Sequence, residues 1–208
     1  MNDYQAPGRT GFNWKLGCLL PLGILLLVAL IAGGWFVRTY NKGVTLDEQV
    51  KEGWSEIENQ LKRRLDLMDN LVATVKGYAK HESEVFTHVA DARKAYFSAA
   101  KDGSQAEKIK AASGLDRALS RLLVLQERYP ELKANQSFLK LQDSIEGTEN
   151  RIAVARKRYN EAARALNAFR RSFFGRFFAG MTGLGEAPYY ELDDEEKEQT
   201  KKPPKVEF

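Results

Sequence analysis

The chain has 208 residues, 43% of them hydrophobic and 29% charged, with a formal net charge of +4 and a pI near 9.0. This composition excludes a disordered chain, and once an apolar N-terminal run is set aside it leaves enough residues for one soluble domain of ordinary size. Lys and Arg are dispersed among nearly as many acids, which suits charge pairs along helices and argues against a nucleic-acid footprint.

After a short tail (1–15), residues Leu16 to Val37 read LGCLLPLGILLLVALIAGGWFV between Lys15 and Arg38. As a helix this uncharged run is about 33 Å long, enough to cross the hydrocarbon core of a bilayer. Trp14 and Trp35 fall near its two ends, where aromatic rings settle at headgroup level. The run is longer than the apolar region of a cleaved signal peptide and lacks a small-x-small cleavage site before the next charge, so a membrane anchor is expected. Cys18 is the only cysteine, which rules out a disulfide or cysteine-based metal site within one chain. Leu16-Gly17-Cys18 looks like the end of a lipidation box, but here the apolar stretch follows the cysteine instead of preceding it. Arg9 and Lys15 on one side against Arg38, Lys42 and Lys51 on the other barely discriminate the orientation, and the Lys and Arg that the domain keeps adding give a weak lean to a cytoplasmic soluble domain.

From Thr45 to about Ala100 no proline occurs, and Val50, Trp54, Ile57, Leu61, Leu65, Met68, Val72, Val75 and Ala79 form a stripe that Val85, Val89, Ala92 and Tyr96 continue. The spacing predicts one long amphipathic helix, capped at Thr45 and ended by Asp102-Gly103-Ser104. A second helix is predicted from about Ala106 to Arg128, ended by Tyr129-Pro130. A third starts near Ser137 with Phe138, Leu141, Ile145, Ile152, Tyr159, Leu166 and Phe169 on its stripe. Strand signals are absent. The fold class is therefore all-α: an N-terminal transmembrane helix (16–37), then an elongated antiparallel helical bundle with long helices (38–184).

A first helix of about 80 Å is longer than its predicted partners. Either the third helix doubles back to cover its membrane-proximal end, or Trp54, Ile57 and Leu61 form an assembly face for a second copy or another membrane protein. Beyond Phe169, FRRSFFGRFFAGMTGLG interleaves Phe173, Phe174, Phe177 and Phe178 with Arg170, Arg171 and Arg176. This segment reads as an interfacial membrane helix, as a partner hook, or as a terminal helix capping the bundle core, the last being favoured. Residues 185–208 carry an acidic block and then a basic one, and are expected to be a charged, disordered tail.

Several ordered runs carry a resemblance. GWSEIENQ (53–60), QLKRRLDLMDNLVATVKGYAKHE (60–82), RLLVLQERYPELKANQSFLKLQDSIEGTENRIAVARKRYNEA (121–162), FAGM (178–181) and the closing PKVEF resemble the LemA family. The resemblance implies a bacterial protein with an N-terminal membrane helix, an elongated bundle and no established enzymatic activity. Family genes are often found beside membrane zinc proteases or small phosphatase-like domains, and one branch serves magnetosome membranes. A role in membrane-protein quality control or membrane organisation is thus implied by analogy. The chain departs from the family at Leu67-Met68-Asp69-Asn70-Leu71, where the usual proline is missing and a straighter helix is expected.

The inventory for catalysis is thin. His81 and His88 are the only imidazoles, and His81-Glu82 begins like a zinc-protease HExxH motif but meets Val85 where the second histidine belongs. No phosphate-binding glycine loop is present and no nucleophile is selected by spacing, so neither an enzyme nor a cofactor is expected. Arg63, Arg64, Asp66, Asp69 and Asn70 in the first helix, with Glu146, Glu149 and Arg151 in the third, form a candidate polar network that fixes helix register, or else a docking patch on that face. The expected function is a non-enzymatic, membrane-anchored scaffold or adaptor, expected to be homo-oligomeric and to meet a membrane protease or another membrane protein, with no nucleic acid. The alternative is a lipid-surface protein using the Phe/Arg segment.

Overall fold

The computed structural model describes residues 14–191, with side chains from Pro21 onward. Its elements are α1 (Trp14–Tyr78), α2 (Ser83–Asp102), α3 (Gln105–Arg128), α4 (Pro130–Lys133), α5 (Gln136–Arg171) and α6 (Phe173–Thr182), with no strand among the described residues.

α1 is a single helix of 65 residues. At the α-helical rise it is about 98 Å long. The apolar run and the first bundle helix are thus one rod, without the cap expected at Thr45. Nothing between 38 and 47 stops the helix: there is no proline, and Gly43 is buried against Phe169 and Leu184. Thr45 donates its hydroxyl back to the carbonyl of Asn41 at 2.9 Å instead of capping a new helix, and Thr39 does the same to Trp35 at 3.0 Å.

The predicted long helix does not reach Ala100. It ends at Tyr78, and a turn at 79–82 reverses the chain into α2. Tertiary bonds hold that turn. The Glu82 carboxylate accepts from Arg128 at 3.0 Å and from the Tyr129 hydroxyl at 3.1 Å, while Asn135 donates to the Tyr78 hydroxyl at 2.8 Å. Ala79 is fully buried beneath them. Side-chain contacts then run antiparallel between α1 and α2, from Lys76 over the Phe86 ring to the Arg93–Asp69 ion pair.

α2 ends at Asp102 as expected. Ser104 opens α3 with a full capping box, accepting from the Glu107 N–H while the Glu107 carboxylate accepts from the Ser104 N–H at 2.7 Å. Tyr129-Pro130 closes α3. Asn135 then caps α5, its side-chain oxygen accepting from the N–H groups of Ser137 and Phe138. α5 runs the whole length of the soluble half of α1 in the opposite direction, and α2 packs along α3. The expected length mismatch disappears, because the turn at 79–82 shortens the first helix until α5 can cover it.

The core follows from this pairing. Ile57, Leu61, Met68, Leu71 and Val75 are fully buried against Leu115 and Leu122 of α3 and Phe138, Ile152 and Tyr159 of α5. Each such side chain contributes about 1.5–3 kcal/mol by leaving water.

Residues 185–191, the first part of the expected tail, are held against the bundle. α6 stops at the left-handed Gly183, and residues 184–191 then lie along α5 as an ordered strap with Ala187 and Tyr190 buried. The Tyr159 hydroxyl donates to the Pro188 carbonyl at 2.8 Å, and Arg170 Nε donates to the carbonyl of Leu184 at 2.9 Å. The charged tail begins beyond this strap; residues 192–208, like 1–13, lie outside those described.

Candidate functional site

Two places gather the side chains singled out in the sequence. The first is an ionic junction in the bundle. Arg64 is fully buried and its guanidinium bridges Asp116 of α3 and Glu149 of α5. Arg156 binds the other oxygen of Asp116 at 2.6 Å and lies over the Tyr190 ring, 4.4 Å from its centroid. Burial pushes the Asp116 carboxyl up, and the two guanidiniums pull it the other way. One charged cluster thus ties α1, α3, α5 and the strap together. Asp116 and Arg156, absent from the sequence reading, are its hub.

The remaining members of the predicted network do not all converge. Asp69 pairs with Arg93 of α2, and Arg151 donates to Gln60 at 3.2 Å on the exposed α1/α5 seam. Glu146 lies exposed at the mouth of the Arg64 cluster. Arg63, Asp66 and Asn70 point to solvent on α1. Trp54, Ile57 and Leu61 are 7%, 0% and 0% exposed. They are core residues of the single chain, covered because α5 doubles back over them, so they offer no face to a second copy. Trp54 also stacks edge-on with Tyr159 at 5.8 Å and donates to Glu58 at 2.6 Å.

His81 falls in the 79–82 turn and His88 on the exposed side of α2, so the two no longer share one helix. Among the described residues no group of three or more His, Cys, Asp or Glu side chains is placed to hold a metal ion.

The second place is a corner where α6 meets the end of the apolar run. Ser172 caps α6, its hydroxyl accepting from the Gly175 N–H at 3.1 Å while donating to the carbonyl of Phe169 at 2.7 Å, and so turns the chain sharply off α5. A side chain at Gly175 would collide with that same carbonyl, which makes the corner glycine-dependent. Because α5 ends opposite the beginning of the soluble half of α1, α6 is delivered to Trp35 and Phe36. Phe174 meets Trp35 edge-on at 4.3 Å, and Phe178 packs on Phe36 at 4.8 Å.

The favoured expectation that this segment caps the bundle core is therefore corrected. Phe178 is buried against the rod and Ala179 is buried beside it, both outside the main core cluster, while Phe173 and Phe177 are 85% and 66% exposed. The arginines divide as well. Arg170 turns to the strap, holding Leu184 and facing Glu186 at 3.8 Å, whereas Arg171 and Arg176 line the cleft between α6 and the rod. Sequence reading placed Trp35 at a membrane boundary but missed it and Phe36 as the partners of α6; the signal was the length of α5, which returns the chain to the anchor end.

Helices α1 to α5 with this corner define an elongated α-bundle continuous with one apolar helix, which is exposed throughout residues 21–38 and long enough to cross a membrane. That is the architecture of a membrane-associated helical protein. Residues 53–208 match the profile of the LemA family, and the chain belongs to that family. It is 27% identical to magnetosome protein MamQ 1 of Paramagnetospirillum magneticum, over 90% of this chain and 76% of that one. Similarity to MamQ of Magnetospirillum gryphiswaldense is 26% over 89% and 76% of the two chains. Protein LemA of Metamycoplasma hominis is 23% identical over 94% of this chain and 87% of its own.

Proposed function

We propose that this protein is a non-enzymatic, membrane-anchored scaffold that holds a rigid helical bundle at a fixed distance and angle from a bacterial membrane. The observation that carries this reading is the unbroken α1, which makes the anchor and the bundle core one body. The similarity to magnetosome proteins supports a role in organising membrane-bound assemblies. The Lys and Arg carried through the bundle support its placement on the cytoplasmic side. Self-association no longer has the Trp54–Leu61 face, and in this reading it uses the apolar span. There Gly23, Gly33 and Gly34 have open space beside them.

The test replaces residues 40–44 with a flexible Gly-Ser linker of the same length and compares neighbours in native membranes by photo-crosslinking from exposed positions on α2 and α5. A scaffold that works by fixed geometry loses its specific neighbours although the bundle stays folded and membrane-bound. An unchanged set of neighbours with the flexible linker sinks the reading.

A further inference from the structure

The corner between α6 and the end of the apolar run encloses a cleft of about 840 Å³, walled by aromatic rings of both helices and edged by Arg171 and Arg176. We propose that this cleft binds one anionic glycerophospholipid, its phosphate held by the two guanidiniums and its glycerol and upper acyl chain laid against Trp35, Phe173 and Phe177. The proposal rests on α1 crossing the membrane.

The cleft lies at the depth of the lipid headgroups. The apolar run ends at Val37, so Trp35 and Phe36 stand at the boundary between hydrocarbon and headgroups. α6 packs laterally on those two residues and so occupies the same level. Phe173, Phe177 and Met181 are 85%, 66% and 53% exposed on one short helix, an apolar surface that water penalises and acyl chains accept.

Among the described residues neither Arg171 nor Arg176 is in an ion pair, whereas Arg170 beside them is already engaged by the strap. Two guanidiniums at an aromatic cleft match a ligand that is a phosphate at one end and hydrocarbon at the other. Free phosphate supplies only the first half. A second copy of the corner would bring its own arginines against these and repel.

The test uses the full chain in nanodiscs of equal phosphatidylglycerol and phosphatidylcholine, released for native mass spectrometry. The wild-type chain is expected to retain phosphatidylglycerol in preference to phosphatidylcholine, and R171Q/R176Q to lose about tenfold or more of that retention with its helix content and melting temperature unchanged. Equal retention of the two lipids, or undiminished retention by the double variant, overturns the proposal. Displacement of the lipid by inorganic phosphate also overturns it and leaves a phosphate site. Disulfide-linked dimers of a Phe177→Cys variant on a Cys18→Ser background would place a second copy in the cleft instead. Retention of the same variants in alkali-washed cell membranes reports the anchor alone and separates failure of the cleft from failure of the spanning reading.

Discussion

Asn167 grips Ala187 by both of its peptide groups: the side-chain amide donates to the Ala187 carbonyl at 2.8 Å and the side-chain oxygen accepts from the Ala187 N–H at 3.0 Å. Asn160 repeats the arrangement on Tyr190, at 2.9 and 2.7 Å. A side chain thereby supplies the ladder that a neighbouring strand would supply, and an extended segment of chain is fixed to a helix without a sheet. Asn167→Ala is expected to cost about 2 kcal/mol, since two buried backbone groups lose their partners. Hydrogen exchange at 184–190 should speed up while α1 and α3 stay protected. Unchanged exchange there would show that the arginine and tyrosine contacts suffice.

Removing Arg64 leaves Asp116 and Glu149 without their shared cation. Arg64→Ala is expected to lower stability by about 3–5 kcal/mol in chemical unfolding. Arg64→Lys should recover only part of it, because one ammonium cannot present two separated donor pairs. A variant that stayed fully stable but lost a protein neighbour would favour the docking-patch reading.

Close approach of α1 and α5 gives a paired test. A Cβ at Gly53 would lie 3.1 Å from the Tyr159 Cα, a backbone atom that cannot step aside, whereas at Gly114 it would meet nothing within 4 Å. Gly114→Ala should therefore stabilise by about 0.5–1 kcal/mol through helix propensity. Gly53→Ala should lose that gain and cost about 1–3 kcal/mol as the two helices are pushed apart. Equal effects in thermal melts would mean that the helix pair has slack.

Alkali should unfold the bundle in a defined window. Burial pushes the hydroxyls of Tyr96, Tyr159 and Tyr190 from 10.0 up to about 12. Below pH 10 the three are neutral in both folded and unfolded chains, so the full stability is present. Between pH 10 and 12 the unfolded chain releases protons that the folded chain still holds, and stability falls. Urea midpoints measured across this window should drop, and Tyr190→Phe should make the drop shallower. A midpoint independent of pH there would contradict the burial of these rings.

Much of this was readable in the sequence because it rests on periodic burial. The apolar run, the stripe from Val50 to Ala79, the Asp102–Ser104 break and the Tyr129-Pro130 stop all carry local signals. The turn at 79–82 does not. The stripe stays in phase through Val85 and Val89 and no proline interrupts it, so the stop depends on Arg128, Tyr129 and Asn135, remote residues that local spacing does not reveal. The strap escaped for a related reason: its hold is through backbone groups and two asparagines on α5, which look like surface residues of a helix. Asp116 was hidden between Leu115 and Arg117, one acid among many beside an apolar stripe. In the corner, the aromatic and basic residues were evident, but their depth relative to the anchor required the path of α5.

The unbroken α1 also makes the protein sensitive to the count of residues at its waist. Along an α-helix each residue turns the chain by about 100° and advances it by about 1.5 Å. Deleting a single residue between Trp35 and Gly43 would therefore swing the bundle by more than a quarter turn around the anchor and tear α6 from Trp35 or α5 from the rod. Substitutions at the exposed positions 37, 38 and 40–42 should be borne easily and insertions or deletions hardly at all, so that the waist behaves as a keyed shaft whose azimuth is set by residue number.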